Sequence, residues 1–300
     1  MSTINIKDNA NIKDSATLGD HIRHRMSGGP VKTKIIITDH NTGKVLGEIS
    51  NKILVPGSMI TASRQFGLDY PMIPFPTYNS ELDLDNSYPD WDWDNHPPTN
   101  DIITCLWCAG RSGAGSSPNE VAVVKNTDKI RKNNDILPFR YIEIGEQVSD
   151  ISTDEREVYF GRRTFTDARG KNVRAYYFKK FDTDPQLNIK YIDGTEVTED
   201  MWSQEQRQSV EIYIEMRLAI SRIDFREYFT SKDDWSDADI STISLVTAWY
   251  DRLPDDPEHP VGAPTYKYYQ DILPFSKFNF RAEKLDDKTR AIDFNYQIFY

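Results

Sequence analysis

From Val210 to Ile220 the chain alternates apolar and polar positions without a break. Val210, Ile212, Ile214, Met216, Leu218 and Ile220 fall on one side of an extended strand, and Glu211, Tyr213, Glu215, Arg217 and Ala219 on the other. The pattern predicts a long half-buried strand that runs on towards Phe229. Ile292, Phe294, Tyr296, Ile298 and Tyr300 repeat it against Asp293, Asn295, Gln297 and Phe299. Strands with one dry and one wet face belong to antiparallel sheets.

Shorter signals fill in the rest. Lys34–Thr38 and Val45–Ile49 predict a hairpin turned at Asp39-His40-Asn41-Thr42-Gly43. Met59–Phe66 predicts two turns of helix stopped by Gly67. Ile102–Ala109, Val121–Lys125, Leu137–Ile144, Glu157–Phe165 and Val173–Phe181 read as strands, and Asp193-Gly194 as a turn after Ile189–Ile192. Thr198–Gln206 reads as a short helix, and Ile240–Trp249 as a strand on its β-branched content. Phe275–Arg281 and Ile292–Tyr300 read as a closing hairpin. The run Asp-Ile-Leu-Pro-Phe occurs at 135–139 and again at 271–275, where Pro138 and Pro274 predict strand starts. The resulting fold class is all-β, an antiparallel sandwich of jelly-roll-like character with one or two short helices and long loops.

Two stretches stand apart. Residues 1–30 are polar, carry the echo Asn5-Ile6-Lys7-Asp8 and Asn11-Ile12-Lys13-Asp14, and end in Ser27-Gly28-Gly29-Pro30. They predict an extended arm on a flexible joint, with Ile4, Ile6 and Ile12 as candidate interface residues. Residues 31–300 then form the sandwich domain. Within it, 68–100 is a proline-rich, acidic and aromatic insertion, too long for an ordinary connection.

Composition narrows the function. The chain has 300 residues, enough for one large β domain with ample core, and 12% of them are aromatic. A net charge of −11 sets the chain against direct nucleic-acid binding. Two cysteines cannot staple a fold of this size, which fits a reducing cytoplasm. The first residues lack a signal peptide's apolar core, and no apolar run reaches the ~18 residues of a membrane helix.

Candidate chemistry is sparse. Cys105 and Cys108 form a lone C-x-x-C without a second pair for zinc, and strand parity turns the two thiols to opposite faces, so both read as packing residues. Gly110–Ser117 has the glycines of a phosphate loop, but Ser116 stands where its lysine would be, and an inter-strand loop is expected. Arg111 in that loop is a candidate anion contact. Asp90, Asp92, Asp94 and Asp101 have the spacing of calcium ligands. Asn95 replaces the turn glycine and Pro97-Pro98 stiffen the segment, so an acidic loop anchored by tryptophans is the simpler reading. Tyr88, Trp91 and Trp93 beside these carboxylates suit a protein interface or the stacking face of a glycan site. Histidines 21, 24, 40, 96 and 259 nominate no triad or metal set. Asp224, between Arg222 and Arg226, reads as a structural ion pair. No catalytic residue or cofactor is assigned, and no enzymatic activity is expected.

The order of segments resembles virion structural proteins of tailed bacteriophages, of the tail, baseplate and collar kind. The matching pieces are Gly43–Gly67 (a glycine turn, Asn51-Lys52-Ile53 and a helix), Ile102–Gly115, Val210–Phe229, Ile243-Ser244-Leu245-Val246 and Phe275–Tyr300. Ile243-Ser244 stands where Glu-Leu or Glu-Ile is usual, and the 68–100 insertion is foreign to the pattern. The resemblance implies a non-enzymatic part with a β-sandwich core and clasping arms. It also implies partners that are copies of the chain and other virion proteins, manufacture in the host cytoplasm, and residence in the virion. The alternative is a host-recognition module that grips a glycan with the 88–94 patch.

Overall fold

The strand read from Val210 to Ile220 keeps those bounds and organises half of the molecule. A computed structural model describes residues 32–65, 82, 84, 103–115, 120–128, 136–191, 194–195, 210–232, 238–252, 267–285 and 291–299. In chain order the strands are β1 (Lys32–Asp39), β2 (Val45–Ile49), β3 (Lys52–Ile53), β4 (Ile103–Gly110), β5 (Arg140–Glu143), β6 (Tyr159–Thr166), β7 (Asn172–Lys180), β8 (Gln186–Tyr191), β9 (Val210–Ile220), β10 (Asp239–Arg252), β11 (Lys267–Lys284) and β12 (Ile292–Phe299). The helices among the described residues are α1 (Val55–Gln65), α2 (Thr153–Arg156) and α3 (Arg226–Lys232).

The strands form two antiparallel sheets in a sandwich, as the alternation predicts. One sheet has five strands in the order β2-β1-β12-β9-β8. The other has seven, running β3-β11-β10-β4-β7-β5 with β6 also on β7. Tyr176 of β7 pairs with Arg140 on one edge and Arg162 on the other, so β5 and β4 share one edge of β7 and β6 takes the opposite one.

The five-stranded sheet contributes Ile35, Ile37, Met216, Leu218, Ile220, Ile292, Phe294, Tyr296 and Ile298 to the core between the sheets. Trp107, Ala109, Ile243, Leu245, Phe278 and Phe280 meet them from the other side. The seven-stranded sheet is buried on its outer face as well. Leu106, Cys108, Val173, Ala175, Tyr177, Val246 and Ala248 pack there with Leu82 and Leu84 of the insertion. That is why every residue from Ile240 to Ala248 is buried, and why this strand shows no clean alternation in sequence.

Several elements differ from expectation. The helix begins at Val55, four residues early, because Pro56 needs no hydrogen bond in a first helical turn. Gly57 in that turn lies against the Phe275 carbonyl, where an added Cβ would come within 2.2 Å. Val121–Lys125 is not a strand: only Val121 bridges to Ala114, and Val123 is 84% exposed. β11 and β12 belong to different sheets, so they form no hairpin. Pro274 lies inside β11 at a register irregularity opposite Leu245–Val246, where a missing N–H is tolerated, and does not start the strand. β9 stops at Ile220, and 226–232 is helix. The short helix read at Thr198–Gln206 lies outside the described residues. Ser152 and Glu155 form an unanticipated capping box around α2, each side chain bonding the other's backbone N–H.

Candidate functional site

The chain crosses from the seven-stranded to the five-stranded sheet just after β7, and a buried polar cluster sits at that crossing. Strict alternation from the inward-facing Tyr176 would send Lys179 outward. It breaks at Tyr177 and Phe178, which both pack in the outer layer. Phe178 covers Gly161, where an added Cβ would lie 2.3 Å from its ring. Lys179 therefore points between the sheets, its side chain 5% exposed.

Its Nζ donates to the Ala219 carbonyl at 2.6 Å and to Asp224 Oδ2 at 3.0 Å, and lies 3.6 Å from Asp182 Oδ1. The Asp224 side chain is 0% exposed. Its Oδ1 accepts the Tyr159 hydroxyl at 2.6 Å and its Oδ2 the Ser221 N–H at 2.7 Å. Asp182 Oδ2 accepts the Ala219 N–H at 2.5 Å. Trp107 and Tyr159 wall the ammonium, with ring centroids 5.9 and 6.0 Å away. Burial first, and then the Asp224 charge, push the Tyr159 phenol well above its ordinary range. Burial likewise raises the Asp182 carboxyl, with Lys179 opposing.

The backbone that delivers Asp224 is unusual. Phe225 adopts a left-handed conformation with φ 66°, which costs a bulky residue about 1–3 kcal/mol unless its surroundings hold it. Here they do: its N–H bonds the Phe139 carbonyl at 2.8 Å and its ring stacks on Phe139 at 4.6 Å. Beside it Arg140 pairs with Glu155 of α2 and Glu227 of α3, and its guanidinium lies over Tyr159 at 5.7 Å. One polar seam thus links α2, β5, β6, β7, α3 and the end of β9.

Two further clusters fix turns. Asp150 receives Arg156 at 2.9 Å, Arg174 at 3.0 Å and the Tyr176 hydroxyl, with Arg162 at 3.8 Å. Asp167 closes the β6–β7 turn through the N–H groups of Arg169 and Lys171, the Arg169 guanidinium and the Tyr141 hydroxyl. Desolvation pushes the Asp167 carboxyl up, but these bonds together outweigh it and hold the pKa at about 2, below the ordinary 3.8. A depressed carboxylate stabilises the fold above its unfolded pKa and loses that contribution as pH falls through the folded one. The protection of the Lys171 amide, relative to its intrinsic exchange rate at each pH, is therefore expected to fall between pH 3.8 and about 2 and to hold steady above that window. Hydrogen exchange at that amide checks the prediction.

Of the residues singled out in sequence, Ile4, Ile6, Ile12, Tyr88, Asp90, Trp91, Asp92, Trp93, Asp94 and Asp101 lie outside the described residues. Arg111 forms an ion pair with Asp239 at 2.7 Å, within the protein. Gly113 donates to the Ser241 hydroxyl and has no space for a Cβ, which would meet the Ser241 carbonyl at 1.8 Å. The Gly110 loop therefore clamps β10 locally. Cys105 sits at a one-residue register shift against β10 and packs, like Cys108, on the outer cluster, so the parity that would send the thiols to opposite faces does not hold. Asp224 is an ion-paired residue as read, but its partner is Lys179, 45 residues upstream, rather than a neighbouring arginine. His40 bonds Asp293 at 2.7 Å, with Arg217 also on Asp293. Among the described residues no group of three or more His, Cys, Asp or Glu could hold a metal ion. Lys179, Tyr159 and Asp182 carried no signal as members of a site.

No family model, curated protein or solved structure matches the chain. Among the described residues no helix is long and apolar enough to cross a membrane.

Proposed function

We propose that this chain is a non-enzymatic structural part of a tailed-phage virion, in the tail, baseplate or neck, assembling with copies of itself and with other virion proteins. Beyond the order of segments, one observation carries the assembly reading. The apolar stripe that supplies Met216, Leu218 and Ile220 to the core continues along β9 past the edge of the sandwich. There Ile212 is 40% exposed, and Leu187 of β8, paired with Ile214, is 67% exposed. Contiguous exposed apolar positions that extend a core stripe suit a subunit contact better than a solvated surface.

β1 begins at Lys32, paired with Phe299, which pairs with Tyr213, which pairs with Asn188. Lys32, the first residue of β1, thus lies at the end of the five-stranded sheet where Leu187 and Ile212 are exposed. An arm with Ile4, Ile6 and Ile12 offers apolar side chains for exchange between subunits.

The test is solution mass by size-exclusion chromatography with light scattering. A discrete oligomer is expected for the full-length protein. Burying a leucine or isoleucine is worth about 1.5–3 kcal/mol, so Leu187→Asp with Ile212→Lys is expected to weaken association by about tenfold or more. An unchanged melting temperature in the double variant shows that the fold is intact. A full-length monomer at every concentration would overturn the self-assembly reading and leave an adaptor that assembles only with other virion proteins, or the glycan-recognition alternative, for which Trp91→Ala with Trp93→Ala is the probe.

A further inference from the structure

The cluster at the sheet crossing juxtaposes the two partners of an amide bond. An ammonium and a carboxylate are held 3.0 Å apart, both nearly or fully removed from water, with a second acid 3.6 Å from the nitrogen. An exposed ion pair has no reason to condense, because water solvates the ions and hydrolyses the product. A buried pair carries a desolvation penalty that a neutral amide removes. Aromatic walls from Trp107 and Tyr159 limit the water that would reverse the step.

We propose that Lys179 and Asp224 mature into an intramolecular side-chain amide that ties β7 covalently to the turn after β9, with Asp182 carrying the protons. A proton first passes from the Lys179 ammonium to the Asp224 carboxylate, giving a neutral amine and a neutral acid. Nζ then attacks Cγ of Asp224, forming the N–C bond and a tetrahedral centre. Asp182 takes the proton released by nitrogen and delivers it to Oδ2, the Cγ–Oδ2 bond breaks, and that oxygen leaves as water. Ammonium and carboxylate have become one amide and one water, and no oxidant or other reactant is needed.

The surrounding bonds suit both ends of this reaction. Tyr159 donates to Oδ1 and Ser221 N–H to Oδ2, which polarises Cγ towards attack and stabilises the developing oxyanion. In the product, Tyr159 continues to donate to Oδ1, now the amide oxygen. The remaining N–H of Lys179 continues to donate to the Ala219 carbonyl, now 2.6 Å from the ammonium. Asp182 is 26% exposed, so it connects the closed pair to solvent and gives protons and water a way out. Burial raises its carboxyl, which makes the carboxylate a better acceptor for the proton that nitrogen releases.

The experiment is mass spectrometry of the folded, full-length protein after denaturation. The expected result is a mass lower by one water, together with a branched peptide after digestion that joins Lys179 to Asp224. The branched peptide is required because Asp193-Gly194 can also lose a water by cyclising on itself. Lys179→Met is expected to restore the full mass. Asp182→Asn is expected to lower the cross-linked fraction while unfolding stays cooperative; an unchanged fraction would remove Asp182 from the mechanism. Full mass in the wild-type protein, with trypsin cutting normally after Lys179, would overturn the proposal and leave an ordinary buried ion pair. That outcome does not touch the oligomer measurement, so the two readings fail separately.

Discussion

Asp224→Ala is expected to destabilise the folded protein by about 3–5 kcal/mol, because removing one member of a buried pair strands the charge of the other. The Lys179 ammonium would keep the Ala219 carbonyl and Asp182, but lose the carboxylate at 3.0 Å in a site walled by aromatic rings. The Tyr159 hydroxyl and the Ser221 N–H would lose their acceptor at the same time. Phe225 would also lose the ordered turn that holds its left-handed backbone in place. Asp224→Asn keeps the shape and the acceptor for Tyr159 without the charge, and an intermediate loss is expected. Urea unfolding at neutral pH, compared by midpoint at constant slope, gives both values. If the amide forms, the alanine variant removes it as well and the loss is larger. A change below about 1 kcal/mol would contradict the burial of this pair.

Trp107→Ala is the second large effect, about 3–5 kcal/mol. The indole is fully buried at the centre of the inner core, edge-on to Phe139 at 4.8 Å, and its Nε1 donates to the Lys180 carbonyl at 3.2 Å. Alanine leaves a cavity between the sheets and removes the indole hydrogen bond to that carbonyl. Because Trp107 also walls the Lys179 ammonium, its loss lets water reach the ion pair. The double variant with Asp224→Ala is therefore expected to lose less than the two single variants together. Strict additivity in the double-mutant cycle would show that the indole and the pair act independently.

Legibility followed burial. β9 and the core face of β12 could be read residue by residue because the five-stranded sheet buries mainly one side, so period two survives in the sequence. β10 is buried on both sides and shows a continuous run, from which neither its full length nor its partners could be told. The pairing of β11 and β12 with distant strands is a tertiary fact, and sequence proximity pointed wrongly to a hairpin. The capping box at Ser152 and Glu155 was present as a motif and went unread. The buried cluster was beyond reach, because it depends on Phe178 breaking the alternation over Gly161 and on Phe225 turning the chain through a left-handed residue. Lys179 in the run Tyr-Tyr-Phe-Lys-Lys otherwise looks like a strand's solvent side.

The place of β12 has a consequence for how the molecule is made. It lies at the middle of its sheet, between β1 and β9, yet among the described strands it follows all the others in chain order. β1 waits about 250 residues for its main partner. At about 5–20 residues per second β1 keeps an unmet edge for tens of seconds, and β9, which pairs with β12 as close as Ile220 with Ile292, for a shorter time. The sheet cannot zip progressively behind the moving ribosome; it must close in one late event when Ile292–Phe299 arrives. A ribosome stalled short of Ile292 would hold a chain with two sticky strand edges, and this is the stage at which a holding chaperone would matter most.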